Sequence, residues 1–312
     1  MDEATVLKHR PVYWLHSQEV AFPLSQPEYF SHSEAVDEDG NRYTGDTLTP
    51  QRMHDLIEDI GRPPKGATLR IKTEVDPVKL GRRDFDNVPI HANFYKDGDY
   101  WYINYITCFG YNEAFQILRL ARIGEHYADI EHQTLELEED ADTGEFTPVR
   151  LYYAAHGNEN GRWIPWADVE KTGDDPERPV AYVAHGSHAT YHKPGRWFRL
   201  FGAANDRTEQ GYVWRPQVDI VYPHGHEKYN AETMGWLRWT RDVGDGHVGG
   251  LATKNWFVHN KGNEEGDPAL FMSESNGERF EVFQGTLVIL LIWSVLLIFL
   301  WVFLAYSMRS FK

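Results

Sequence analysis

The chain has 312 residues and a mass of 36.2 kDa, enough for one large all-β domain with a short appendage. A formal net charge of -16 and a pI near 5.3 exclude the basic stripe that a nucleic-acid surface needs to displace counterions. Hard cations or neutral partners are expected instead, and the single cysteine, Cys108, excludes an internal disulfide framework and fits a reducing compartment.

The amino terminus, Met1-Asp2-Glu3-Ala4-Thr5, is acidic and has no apolar core, so neither a secretory signal nor an Arg-rich presequence is expected. Residues 9 to 31 read as a short strand, a loop and an aromatic anchor at Tyr29-Phe30, and residues 34 to 48 as a polar surface loop. Thr49-Pro50 opens a short helix over Gln51 to Ile60, closed at Gly61. A strand is predicted over Thr68 to Thr73. His91 to Phe94 and Tyr100 to Phe109 then form a hairpin across Lys96-Asp97-Gly98-Asp99. Asn112 to Ile123 fits helix and strand templates equally.

Gly124 to Leu137 concentrates chemistry. Beyond Asp129, residues 129, 131, 133, 135 and 137 share one face of an extended strand, so two carboxylates stand in line with Leu135 and Leu137 at the rim of a buried face. Two like charges there are costly unless a cation or a proton neutralises one. His126 can swing onto the same point. His126, Asp129 and Glu131 together supply one nitrogen and two hard oxygens, a set suited to Mg²⁺ or Ca²⁺, with Mn²⁺ also compatible, and less suited to structural zinc.

Asp140 to Gly144 turns the chain into Pro148 to Ala155, which delivers His156-Gly157. Trp163 to Trp166 follows, and Val180 to Ala184 delivers His185-Gly186-Ser187-His188. His156, His185 and His188 are candidate donors to the ligating carboxylates or to a bound group, and Asp206 is a further candidate carboxylate. For His185 and His188 the alternative is a pair of hydrogen-bonded core histidines. Strands are also expected at Val218 to Tyr222, with an aromatic segment at Trp236 to Trp239. Frequent short strands separated by Gly and Asp turns indicate a β-sandwich, jelly-roll-like, with few short helices. Cys108 sits in a core strand, and no nucleophile elbow, phosphate loop or dinucleotide fingerprint is present.

Residues 261-284 form a polar juxtamembrane linker after a β-sandwich domain over 1-260. The uncharged run Thr286 to Tyr306, within a span of 285-306, has the length of a membrane-crossing helix, with Trp301 and Tyr306 as interfacial anchors and a short tail at 307-312. A tail anchor with a cytosolic domain follows from the missing signal sequence, although Arg309 and Lys312 oppose it under the positive-inside rule.

Four segments resemble the plant and fungal family named for vacuolar protein sorting-associated protein 62. They are His9 to Phe30, Gly124 to Leu135 with its His126-x-x-Asp129-x-Glu131-His132 core, His156-Gly157 followed by Trp163, and Arg178 to Tyr191 with Pro194-Gly195. The chain departs at Ile130, where the family usually carries tryptophan. The His-x-x-Asp-x-Glu core alone is similar to the metal motif of the necrosis-inducing toxins. That likeness implies a β-sandwich holding Mg²⁺ or Ca²⁺ at His126, Asp129 and Glu131, while the toxins' upstream acidic ligand has no counterpart near Leu118. The leading expectation is a tail-anchored β-sandwich of endomembrane or vacuolar trafficking that binds a lipid head group or glycan through a divalent cation. The alternatives are a metal-dependent hydrolase of phosphate or glycosidic bonds, with His185 or His188 as acid or base, and an accessory subunit of a membrane complex with a vestigial site.

Overall fold

Alternation of apolar residues along the strands is realised in two stacked sheets. The structure, a computed structural model, describes residues 1–61, 63–64, 66–81, 84–117, 121–155, 161–197, 205–239, 241–244 and 297. One sheet runs in the order Arg162–Pro165, Phe146–Tyr153, His126–Glu139, Tyr100–Asn112, Ile90–Asp97 and Val218–Ile220. The facing sheet runs Lys171–Thr172, Asp175–Val183, Val12–Leu15 and Tyr212–Trp214, with Thr190–Tyr191 also paired to Asp175–Val183. Tyr13, Leu15, Ala181, Val183 and Trp214 from the latter meet Ile103, Tyr105, Leu135, Leu137 and Leu151 from the former in a single buried core. This is the expected β-sandwich.

The outer face of the larger sheet is covered too. Ile106, Cys108, Ala128 and Ile130 pack in a second core with Leu24, Phe30, Met53, Leu56, Leu69 and Trp236. Burial on both faces explains why Tyr100–Asn112 and His126–Glu139 are buried almost continuously instead of alternately.

The helix Pro50–Ile60 contributes to that cover. The Thr49 hydroxyl accepts the Arg52 N–H at 3.2 Å, Pro50 opens the first turn, and Met53, Leu56 and Ile57 form its buried stripe. Each such side chain stabilises the packing by about 1.5–3 kcal/mol. A second helix, Gln26–Ser31, lies where a loop was expected, with Ser25 accepting the Glu28 N–H at 3.3 Å and Pro27 in the first turn. Its sequence carries the Ser-x-x-Glu pattern of a helix start, masked by the brevity of the element. Of the undecided segment, Asn112 ends one strand, and the short strands Phe115–Ile117 and Ala121–Ile123 pair antiparallel. The Trp236 segment is a 3₁₀ turn, Gly235–Arg238.

Two pairings depart from a jelly roll's antiparallel order. Val12–Leu15 lies parallel to Asp175–Val183, and Val218–Ile220 lies parallel to Ile90–Asp97. Among the described residues no helix is long and apolar enough to cross a membrane. The expected linker, membrane span and tail lie outside the described residues, residue 297 excepted.

Candidate carboxylate and histidine site

Strand register places the two carboxylates first. Asp129 stands opposite Phe109, Glu131 opposite Thr107, Gln133 opposite Tyr105 and Leu135 opposite Ile103. Phe109, Tyr105, Ile103 and Leu135 belong to the inter-sheet core, so Asp129 and Glu131 occupy its end, 6% and 7% exposed. The face predicted from spacing is the face observed. Ile130 points the other way with Cys108 into the second core, so the position of the family's tryptophan is a core position here.

The parallel pairing brings the rest. Val12 opposite Val180 and Trp14 opposite Tyr182 make the two strands run out side by side, so the residues that follow each of them emerge together. His188 closes the turn after Asp175–Val183, its N–H donating to the Ala184 carbonyl at 3.0 Å, with its backbone at φ 51° and that of Gly186 at φ 72°. The His188 ring is fully buried and stacks on Phe109, centroids 3.8 Å apart. Its Nδ1 lies 2.8 Å from Asp129 Oδ2. Its Nε2 lies 3.5 Å from Glu19 Oε1, an ion pair without hydrogen-bond geometry.

Glu19, which sequence reasoning missed, is 4% exposed and accepts backbone N–H groups from Val20, Ala21 and Gly186 at 2.9, 3.0 and 2.9 Å. Burial alone raises its pKa, but the His188 charge and these hydrogen bonds bring it down to about 2. Burial likewise opposes the His188 proton, and the Glu19 charge and the bond to Asp129 override it, pushing His188 up to about 10. The imidazolium is therefore held between two carboxylates. The sequence signal for Glu19 is a lone charge ahead of the apolar Val20-Ala21-Phe22.

The other candidates serve different roles. His185 is half-buried, its Nε2 donating to the Gln18 carbonyl at 2.9 Å and lying 3.9 Å from Glu113 Oε2. Asp206 is buried and accepts from the Ser187 hydroxyl at 2.9 Å and the Tyr191 hydroxyl at 2.5 Å, which pins the 185–188 turn to its neighbouring hairpin. His156 lies outside the described residues. His126 opens the long strand, with Nδ1 3.0 Å from the Ala128 carbonyl. That contact favours the tautomer that leaves Nε2 with a bare lone pair, the usual orientation of a metal-binding imidazole.

Among the described residues, no three His, Cys, Asp or Glu side chains converge closely enough to hold a metal ion as they stand. The chemistry of the donors nonetheless suits a hard cation. Two buried carboxylates, Glu19 and Asp129, flank the imidazolium of His188, and Glu131 follows Asp129 on the same strand face, oxygen donors of the kind that Mg²⁺ and Ca²⁺ take.

A β-sandwich with an imidazolium clasped by buried carboxylates is the class that fold and site define. Residues 112–211 match the model of the family Vacuolar protein sorting-associated protein 62, a stretch that contains Asp129, Glu131, His188 and Asp206. The resemblance drawn from the motifs is thus borne out there. No curated protein matches the chain. Among solved structures it is similar to the non-toxic HaNLP3 protein, with 12% identity, a TM-score of 0.36, and coverage of 75% of this chain and 85% of that one. It is also similar to NLPPya in complex with glucosamine, with 10% identity, a TM-score of 0.36, and coverage of 70% and 72%. A third is necrosis and ethylene inducing protein 2 from the causal agent of cocoa's witches' broom disease, with 13% identity, a TM-score of 0.32, and coverage of 70% and 74%.

Proposed function

We propose that the chain is a binding module of endomembrane or vacuolar sorting, anchored by the 286–306 run, whose Asp129 and Glu131 carboxylates with His126 take up a divalent cation that in turn receives a polar head group or glycan. One observation carries the reading: two carboxylates, Asp129 and Glu131, share the buried end of a strand face, and the imidazolium that pairs with Asp129 is already shared with Glu19. A cation such as Mg²⁺ or Ca²⁺, completed by water, takes carboxylate oxygens as ligands and leaves coordination positions open to a ligand's hydroxyls. Binding is favoured over hydrolysis because the His188 ring is sealed from solvent, stacked and ion-paired, and has no freedom to exchange protons with a substrate.

The test is calorimetric titration of Mg²⁺, Ca²⁺ and Mn²⁺ into the full chain in neutral detergent. Saturable binding is expected, weakened about tenfold or more in Glu131→Gln and in His126→Ala, the loss of one ligand. Equal affinity in both variants sinks the assignment. Turnover of model phosphate esters or glycosides that depends on the metal and vanishes in His185→Ala would replace binding by hydrolysis.

A further inference from the structure

The parallel strands that lead to Glu19 and His188 also bring two imidazoles together where they end. His16 directly follows Val12–Leu15 and is buried, His185 lies two residues beyond Asp175–Val183 and is half-buried, and their ring centroids are 4.9 Å apart. Both rings grip the same residue. His16 Nδ1 accepts the Gln18 N–H at 3.1 Å, and His185 Nε2 donates to the Gln18 carbonyl at 2.9 Å. A backbone N–H only donates, so the first of these bonds requires an unprotonated Nδ1 on His16. Gln18 immediately precedes Glu19, whose carboxylate accepts the N–H groups of Val20, Ala21 and Gly186 and pairs with His188. A neutral His16 therefore fixes the start of the segment that closes the clasp.

The charges that face the two rings are mixed. Glu209 Oε2 lies 3.6 Å from His16 Nε2, but the same carboxylate accepts from the Ser17 N–H and hydroxyl and is 43% exposed, so solvent weakens its pull. Glu19 is already paired with His188, and Glu113 Oε2 lies 3.9 Å from His185 Nε2. On the cationic side, Arg196 and Arg207 line the cleft beside His16, and His185 adds a third charge once protonated. Burial outweighs the Glu209 charge and holds the His16 pKa below 6.5.

We propose that His16 is an acid-released latch: protonation at Nδ1 breaks its bond to Gln18, sets a cation against His185 and Arg207, and frees the 17–21 segment with Glu19 from the 185–188 turn. Above pH 6.5 the ring is neutral whether the segment is closed or open. Below 6.5 the open segment, with its ring solvated, takes the proton first, so opening grows by up to about tenfold per pH unit until the closed form is protonated too. The clasp itself does not titrate in that window, since Glu19 stays charged down to about 2 and His188 up to about 10.

The test is hydrogen–deuterium exchange of the full chain in neutral detergent from about pH 7.5 to about pH 5, a range that spans the ordinary imidazole value. Protection, corrected for the intrinsic exchange rate, is read by mass spectrometry on peptides spanning 16–22 and 184–188, with peptides from Tyr100–Asn112 and His126–Glu139 reporting global opening. In the wild type the two loop peptides are expected to lose about three- to tenfold protection relative to the sheet peptides as pH falls. His16→Asn keeps an acceptor for the N–H two residues on and does not titrate, so its protection is expected to hold through the same range. Wild-type protection that stays level relative to the sheet, or that falls equally in His16→Asn, overturns the proposal. The His16 ring is followed separately by NMR in the wild-type chain, where a titration midpoint below 6.5 is expected. A midpoint at or above that value overturns the latch even where the variant fails to fold. No divalent cation is needed or added, so the outcome is separate from that of the calorimetric titration.

Discussion

Removing the His188 imidazole leaves Glu19 and Asp129 buried without their cation. Breaking a buried pair in this way costs about 3–5 kcal/mol, so His188→Gln is expected to destabilise strongly, and Glu19→Gln with His188→Gln to cost less than the sum of the two. Urea denaturation through this double-mutant cycle measures the coupling. The pH window follows from the two shifts. His188 is raised from 6.5 to about 10, so its contribution is complete below pH 6.5 and is lost as pH rises through about 10. Glu19 is lowered from 4.5 to about 2, so its contribution is complete above pH 4.5 and is lost as pH falls through about 2. The stability gap between wild type and double variant should therefore be widest between pH 4.5 and 6.5. A gap that stays constant from acid to alkaline pH contradicts the clasp.

At the scale of the element, the 185–188 turn depends on Gly186. A Cβ there lies 2.8 Å from Glu113 Oε2, and the backbone is at φ 72°. Gly186→Ala is expected to cost about 1–3 kcal/mol in chemical denaturation, through strain that an L side chain feels at this φ and the displacement of Glu113. The helix Gln26–Ser31 is tied to the larger sheet through His91, whose Nε2 accepts the Gln26 N–H at 3.4 Å and whose ring lies 4.9 Å from that of Trp236. Burial pushes His91 down to about 3. Above pH 6.5 the folded and unfolded chains both hold it neutral. Below pH 6.5 the unfolded chain takes the proton first, so stability falls from there to about pH 3. His91→Gln is expected to be less stable than wild type at neutral pH but to show a smaller fall over that acid range, measured by urea midpoints at a series of pH values.

On the scale of the whole molecule, a charge of -16 makes any salt stabilising by screening, so specific cation binding must be separated from it. Mg²⁺ or Ca²⁺ is expected to raise the melting temperature of the wild type more than NaCl at equal ionic strength. The excess corresponds to about 2.7 kcal/mol at a hundred times the dissociation constant. In Glu131→Gln a tenfold weaker site cuts that excess to about 1.4 kcal/mol at the same cation concentration, and coincidence of the two salts already in the wild type would leave the cation reading without support.

What the sequence determined by itself is local. Side-chain direction alternates along any extended backbone, so the shared face of Asp129, Glu131, Leu135 and Leu137 was legible before any fold was known. The Thr49 cap and the hairpin of His91 to Phe94 with Tyr100 to Phe109 were legible for the same reason, since each depends on residues a few positions apart. The order of the strands in the sheets was not, and the expected jelly roll fails at this point, because parallel pairing of Val12–Leu15 with Asp175–Val183 joins segments that no local pattern connects. That pairing alone places Glu19 and Gly186 in hydrogen-bonding contact and His188 between Glu19 and Asp129, and so turns a charged strand end into a clasped site. The contact between His16 and His185 was equally hidden, because the two rings meet only where those parallel strands run out side by side. Periodicity is a property of the backbone, whereas convergence of distant charges is decided only when the two sheets close over their common core.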